Sequence, residues 1–299
     1  MGDILIMQAF SGLSLFSVLL LMALGLAIIF GLMGVINMAH GELMAMGAYT
    51  TYLTSVVFEK YLPGLMGAYL IFAIVFAFLV TFAFGNLMER FMIQHLYRRP
   101  LDTLLATWGL SLILQQGFRT IFGAPEVGVP MPDWLLGAWQ VTDAIEIPLN
   151  GLFVMALSLL VTLAVFVFIF RSRWGLRIRA VTQNRVMSGA VGIDTKRVDR
   201  VTFSIGSGVA GIAGAAFTLL GSTGPGTGQL YIVDTFMVVV FGGVQSLIGT
   251  IVSAFTIAEA QSTMEFFLSG SMAKVLTLLG IVVILFFRPE GLLSLKVRK

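Results

Sequence analysis

The sequence contains no cysteine and only two histidines, His40 and His95, in 299 residues. The first absence excludes disulfides, thiol catalysis and every cysteine-based metal or iron–sulfur site. The second leaves almost nothing for zinc or triad chemistry, and neither H-E-x-x-H nor G-x-S-x-G occurs. Charge is equally scarce. Only 11% of residues are charged, against about 25% in an ordinary soluble domain. The phosphate-cradling G-x-x-x-x-G-K-[ST] pattern is missing, and so is the dipeptide Gly-Lys, so the chain has no nucleotide site of that kind. What is abundant is apolar surface: 58% hydrophobic residues and a mean hydropathy of +0.98 place the chain in a bilayer.

Charge-free windows run over 4–41, 43–58, 61–88, 103–118, 147–170, 201–233, 235–258 and 275–287. A hydrocarbon core about 30 Å thick takes about 20 residues of helix, so most windows hold one crossing and the longest hold more. The pattern predicts an all-α polytopic integral membrane bundle of about nine crossings, between eight and ten, forming one domain over 1–299. Long unbroken apolar runs exclude an outer-membrane barrel. The first window follows Asp3 rather than Lys or Arg and is too long for a signal peptide, so it is expected to stay in the mature protein.

Fifteen of the eighteen Lys and Arg residues fall in three connections: Arg90, Arg98 and Arg99; eight between 171 and 200; and Arg288, Lys296, Arg298 and Lys299. The positive-inside rule makes that side cytoplasmic, with the C-terminus inside and the N-terminus outside. The stretch 122–148 then forms an external loop, carrying Glu126, Asp133, Asp143, Glu146 and four prolines but no Lys or Arg.

Polar residues interrupt the apolar runs at a few places. Residues 30–42, FGLMGVINMAHGE, combine three glycines with Asn37, His40 and Glu42. Ionisable side chains at membrane depth are costly and face a bundle interior or a cavity. His40 and Glu42 therefore either close a broken helix through freed backbone groups or line a path for solute. Residues 241–250, FGGVQSLIGT, break the second half in a comparable way, with Ile36 and Leu247 each five places beyond a glycine. Paired interruptions of this kind suggest an internal repeat and a midplane site. Thr107, Ser111 and Gln115 share one helix face in the short window 103–118, either bonding a neighbouring helix or forming a polar strip beside a small solute. Gln245 and Glu259 complete the set of path candidates. The basic loop 171–200 contains a segment, 186–193, neither apolar enough to insert nor polar enough to float, as a helix docking on a partner would be.

The segments FGLMGVINMAHGELMAMGAY (30–49), RSRWGLRIRAVTQNRVMSGAVGI (171–193) and GSGVAGIAGAAF (206–217) resemble the permease subunits of ABC importers of the branched-chain amino acid class. Within that class, RPLDTLLATWGLSLILQQ (99–116) and GSTGPGTGQLYIVDTFMVVVFGGV (221–244) look more like the urea branch, while RPEGLL (288–293) suits both. The resemblance implies a bacterial inner-membrane importer with two permease chains, the same or related. Cytoplasmic ATP-binding subunits would use the ATP, and a periplasmic or lipid-anchored solute-binding protein would deliver solute. Beyond these partners and membrane lipid, no nucleic acid and no cofactor of this chain are expected. Such importers carry a coupling pattern like E-A-A-x-x-x-G. Here Val186, Met187, Ser188 and Gly192 occupy it, with Gly189 and Ile193 beside them; the glycine fits and the glutamate position does not.

The expected function is a path for urea by alternating access, driven from 186–193, with the binding protein meeting 122–148 and 221–234. Urea is favoured by a neutral inventory of donors and acceptors: Asn37, Thr107, Ser111, Gln115 and Gln245. A branched-chain amino acid permease is the first alternative, since a zwitterion wants helix ends or charges at both poles. A passive small-solute channel is the second. A membrane enzyme using Glu42 and Glu259 as acid and base is the third, and it lacks a nucleophile or metal spacing.

Overall fold

A computed structural model describes residues 2–97, 99–142 and 145–293. Arg98, Asp143, Lys296, Arg298 and Lys299, which enter the charge distribution, lie outside the described residues. The chain is helical almost throughout, because lipid offers no partner to a free backbone N–H or C=O. In order, α1 (Gly2–Leu26) runs on as a π-helical turn (Ala27–Gly31), followed by α2 (His40–Tyr61), α3 (Tyr69–Phe91) and α4 (Pro100–Phe122). A hairpin of β1 (Ala138–Thr142) and β2 (Ile145–Pro148) precedes α5 (Leu149–Arg171), α6 (Arg173–Gln183), α7 (Arg185–Ala190) and α8 (Thr195–Phe217). The last three are α9 (Thr227–Gly242), α10 (Leu247–Phe267) and α11 (Gly270–Phe287).

Among the described residues nine helices have 16 residues or more, in line with the expected crossings. Five apolar stretches suffice as spans by length and hydropathy: Ile6–Gly31, Pro63–His95, Leu149–Arg171, Thr195–Phe217 and Gly270–Phe287. The window 103–118 lies within α4, which extends through Asp102 and Arg119 to 23 residues, about 35 Å at 1.5 Å each. One local expectation needs correction: the stretch 122–148 is not all loop, since β1 and β2 pair antiparallel there.

Side-chain pairs fix how the helices run. Gln8 bonds Ser262, Gly12 lies under Glu259, and Gly31 abuts the Val244 carbonyl, so α1 and α10 are antiparallel. Thr107 meets Met38, Gln115 meets Glu42, and Phe122 meets Tyr49, so α2 and α4 are parallel. The connections after α3, around α6 and α7, and after α11 share one end of the bundle, hereafter the basic end; the hairpin lies at the other.

The core sits on α2 and α8, both buried along most of their length. Their approach requires glycine. A methyl on Gly214 would strike the Met44 carbonyl, and one on Gly47 would strike the Gly211 backbone. Hydroxyls in this core bond their own helix, as Thr51 does to the Gly47 carbonyl (3.0 Å) and Ser207 to that of Phe203 (2.9 Å).

Candidate functional site

The first interruption is real and lies inside the bundle. Residues 34–39 are not helical, Gly34 takes a left-handed φ of +69°, and α2 restarts with His40 beside Met22 and Gly25, well up α1. The freed backbone groups find side chains. Thr107 Oγ1 accepts from the Met38 N–H (3.0 Å), and Asn37 Oδ1 accepts from that of Ala39 (3.0 Å). His40 Nε2 lies 3.1 Å from the Met22 carbonyl oxygen, which places the ring proton on Nε2.

One turn on, buried Glu42 faces α4. Its Oε1 accepts from Gln115 Nε2 (2.9 Å) and Ser111 Oγ (3.2 Å). Glu42 Oε2 and Asn37 Nδ2 are buried without any partner. Further up the same seam Tyr49 stacks on Phe122 with ring centroids 4.2 Å apart, and its hydroxyl is also unpartnered. The break thus sets the start of a helix, where backbone N–H groups concentrate positive potential, close to a carboxylate with a free oxygen.

The second interruption meets the first. Gly31 is pressed against the Val244 carbonyl, and exposed Gln245 lies alongside. Here α9 ends at Gly242, Gly243 turns with φ +97°, and Ser246 caps α10 by accepting from the Gly249 N–H (3.0 Å). The carbonyls left open by α9 are closed by RPEGLL: Leu292 donates to Phe241 O (2.7 Å) and Leu293 to Gly242 O (3.4 Å).

The path candidates thus occupy three places. Asn37, His40, Glu42, Thr107, Ser111 and Gln115 surround the first break, Gln245 sits at the second, and Glu259 lies over Gly12 on α1. Glu259 is therefore no partner of Glu42 for acid–base chemistry. Among the described residues no three His, Cys, Asp or Glu side chains gather as a metal group. Sequence reasoning did not find the closure by RPEGLL, nor the pairing of Lys274 with Asp234 (2.7 Å); the opposite charges inside two apolar helices were the available signal for the pair.

At the basic end, α6 is capped by Ser172 and α7 by Asn184, whose Oδ1 accepts from the Met187 N–H (3.0 Å). Gly192 ends α7 with φ +85°: its N–H bonds Gly189 O and that of Ile193 bonds Ser188 O, a Schellman closure. Ser188 is buried and Gly189 exposed, while Ile193 packs with Trp174, Ile178, Val181 and Val198. Val186, Met187 and Val191 stand out at 85, 60 and 69% exposure. Around α7, Arg185 pairs with Asp199 and covers the Tyr97 ring, Tyr97 donates to Glu89 Oε1 (2.9 Å), and Arg200 pairs with Glu89 Oε2 (3.2 Å). Burial first, then the carboxylates of Asp199 and Glu89, push the Tyr97 phenol well up, so it remains a donor.

Residues 8–286 match the family described as branched-chain amino acid transport system, permease component. The chain belongs to that family. It is a transport subunit, not an enzyme, and a multi-pass membrane protein. It is 27% identical over 294 residues to the high-affinity branched-chain amino acid transport system permease protein LivH of Salmonella typhimurium, covering 96% of this chain and 94% of that one. It is 27% identical over 293 residues to BraD of Pseudomonas aeruginosa, another such permease, covering 96% and 95%. LivM of Escherichia coli is 27% identical over 303 residues, covering 92% of this chain and 68% of its own. No solved structure matches the chain. The expectation of a urea transporter within the family finds no support among these relatives.

Proposed function

We propose that this permease forms the membrane path for branched-chain amino acids in an ATP-driven importer. The carrying observation is the first break, where the start of α2 and the free Oε2 of Glu42 supply the opposite poles a zwitterion needs. The neutral donors and acceptors that would suit urea are largely spent. Thr107 is used on Met38, Ser111 and Gln115 are used on Glu42, and Gln245 lies elsewhere. A buried carboxylate with one unsatisfied oxygen suits an α-ammonium group better than neutral urea. The family relatives, named for branched-chain amino acids, support the same choice.

In this reading the basic end faces the cytosol, ATP-binding subunits dock on Val186, Met187 and Val191, and a second permease chain completes the path. A solute-binding protein meets the hairpin end. Uptake of labelled leucine and labelled urea by vesicles holding the assembled complex tests it. Leucine is expected to accumulate only with an active ATPase, and uptake of urea alone would overturn the assignment. Glu42→Gln keeps acceptors for Gln115 and Ser111 but removes the charge, and is expected to lower leucine uptake roughly tenfold or more.

A further inference from the structure

The hydroxyl of Thr182, on α6, lies between two carbonyls. Thr182 Oγ1 is 2.8 Å from the oxygen of Leu32 and 2.9 Å from that of Ile178, one turn back in its own helix. A hydroxyl carries one proton and can fully serve only one of them at a time. Leu32 stands at the first break, just before the left-handed Gly34, so the next residues offer its carbonyl no continuing helix. That carbonyl also has an alternative. Leu32 and Thr182 both line a cavity of about 730 Å³ at the basic end, together with Met33, Tyr97, Arg185 and Asp199, where water can replace the hydroxyl. Each partner of this hydrogen bond can therefore let go without being left buried and unsatisfied, which makes the bond a low-cost latch.

The latch joins two parts of the fold. On one side, the Leu32 side chain packs with Ile178, Val181 and Val198, and Ile193, directly after α7, packs in the same cluster. On the other side, Gly31 abuts the Val244 carbonyl of the second break with no room for a side chain. A displacement entering at α7 would therefore reach Leu32 through this cluster and bear on the fit between the two breaks.

We propose that Thr182 is a positioning residue for transport: its hydroxyl holds the Leu32 carbonyl in the resting arrangement and passes to the Ile178 carbonyl when the segment bearing α7 is moved. The proposal rests on the ATP-driven reading above, but one of its two readouts needs no solute. Because the chain has no cysteine of its own, spin labels at Met33→Cys and Gln245→Cys, introduced before assembly with the other subunits, report the separation of the two breaks without background labelling of this chain.

In the assembled complex, ATP binding is expected to change that separation in the parent chain and in Thr182→Ser, whereas in Thr182→Val, which keeps the shape but has no hydroxyl to hold the resting arrangement, the separation without ATP is expected to lie already near the ATP-bound value, so that ATP changes it little. Leucine transported per ATP hydrolysed is expected to fall about fivefold or more in Thr182→Val and to recover in Thr182→Ser. Co-purification of the ATPase subunits with each variant confirms assembly. A separation that ATP does not alter in the parent chain, or that alters equally in Thr182→Val, overturns the proposal. So does loss of the change in both variants. If the separation behaves as expected while leucine is not carried, the solute assignment fails and the latch stands.

Discussion

A hydrogen atom at one backbone position decides how closely the two central helices approach. Gly214 and Gly47 carry the α2/α8 contact, where a Cβ would meet backbone rather than a movable side chain. Gly214→Ala is therefore expected to cost about 1–3 kcal/mol by overpacking, read as a lowered thermal midpoint in detergent. Gly109→Ala and Gly117→Ala on α4 are the contrast, because nothing lies within 4 Å of either added methyl and alanine favours the helix by about 1 kcal/mol. If Gly214→Ala matched these two in midpoint, close backbone approach would not be what holds α2 to α8. The same scale shows what side-chain chemistry could and could not announce. Asn37, His40 and Glu42 in one run, and Thr107, Ser111 and Gln115 in another, were readable as polar interruptions because polar atoms inside apolar runs must find partners; that the two runs meet was not. Which atom serves which partner was not readable, since Thr107 and Met38 meet across 69 positions of sequence.

At the scale of elements, the breaks were visible as glycine-rich gaps in hydrophobic runs, and the helix count followed from window lengths. Their closures were not visible. RPEGLL satisfies α9 from the far end of the chain, and the grip of Thr182 on Leu32 spans 150 positions; neither has a local period or spacing to betray it. The glycine of the segment that resembles a coupling pattern has a local role: Gly192 takes the left-handed position that closes α7. The missing glutamate does not disturb that closure, because the cap at the start of α7 comes from Asn184. What α7 presents is apolar. Replacing Val186 and Met187 together by Asp removes no internal packing, as both project outward, and is expected to cost at least about 2 kcal/mol of docking, roughly thirtyfold in affinity for the ATPase subunit. The measurement is co-purification of that subunit with a permease of unchanged thermal midpoint. Undiminished co-purification would move the docking surface away from α7.

For the whole molecule, the arrangement has one end that is basic and bears α6, α7 and both helix breaks, and another that bears the hairpin and the acidic residues Glu126, Asp133 and Glu146. A transmembrane orientation that placed the basic end outside would separate the breaks from any cytosolic motor, so the sidedness of the bundle is a condition of the mechanism. If all nine long helices of the described residues cross, their odd number sends the two chain ends to opposite sides, and the bias of Lys and Arg predicts which is which. Single cysteines introduced into this cysteine-free chain read that directly. Gln140→Cys in β1 is expected to react with a membrane-impermeant maleimide added to intact spheroplasts, and Met187→Cys in α7 only after the membrane is opened, both positions being exposed. Labelling of Met187→Cys from outside would invert the bundle, and the path between the two breaks could then no longer be driven through Leu32 by a subunit that hydrolyses cytosolic ATP.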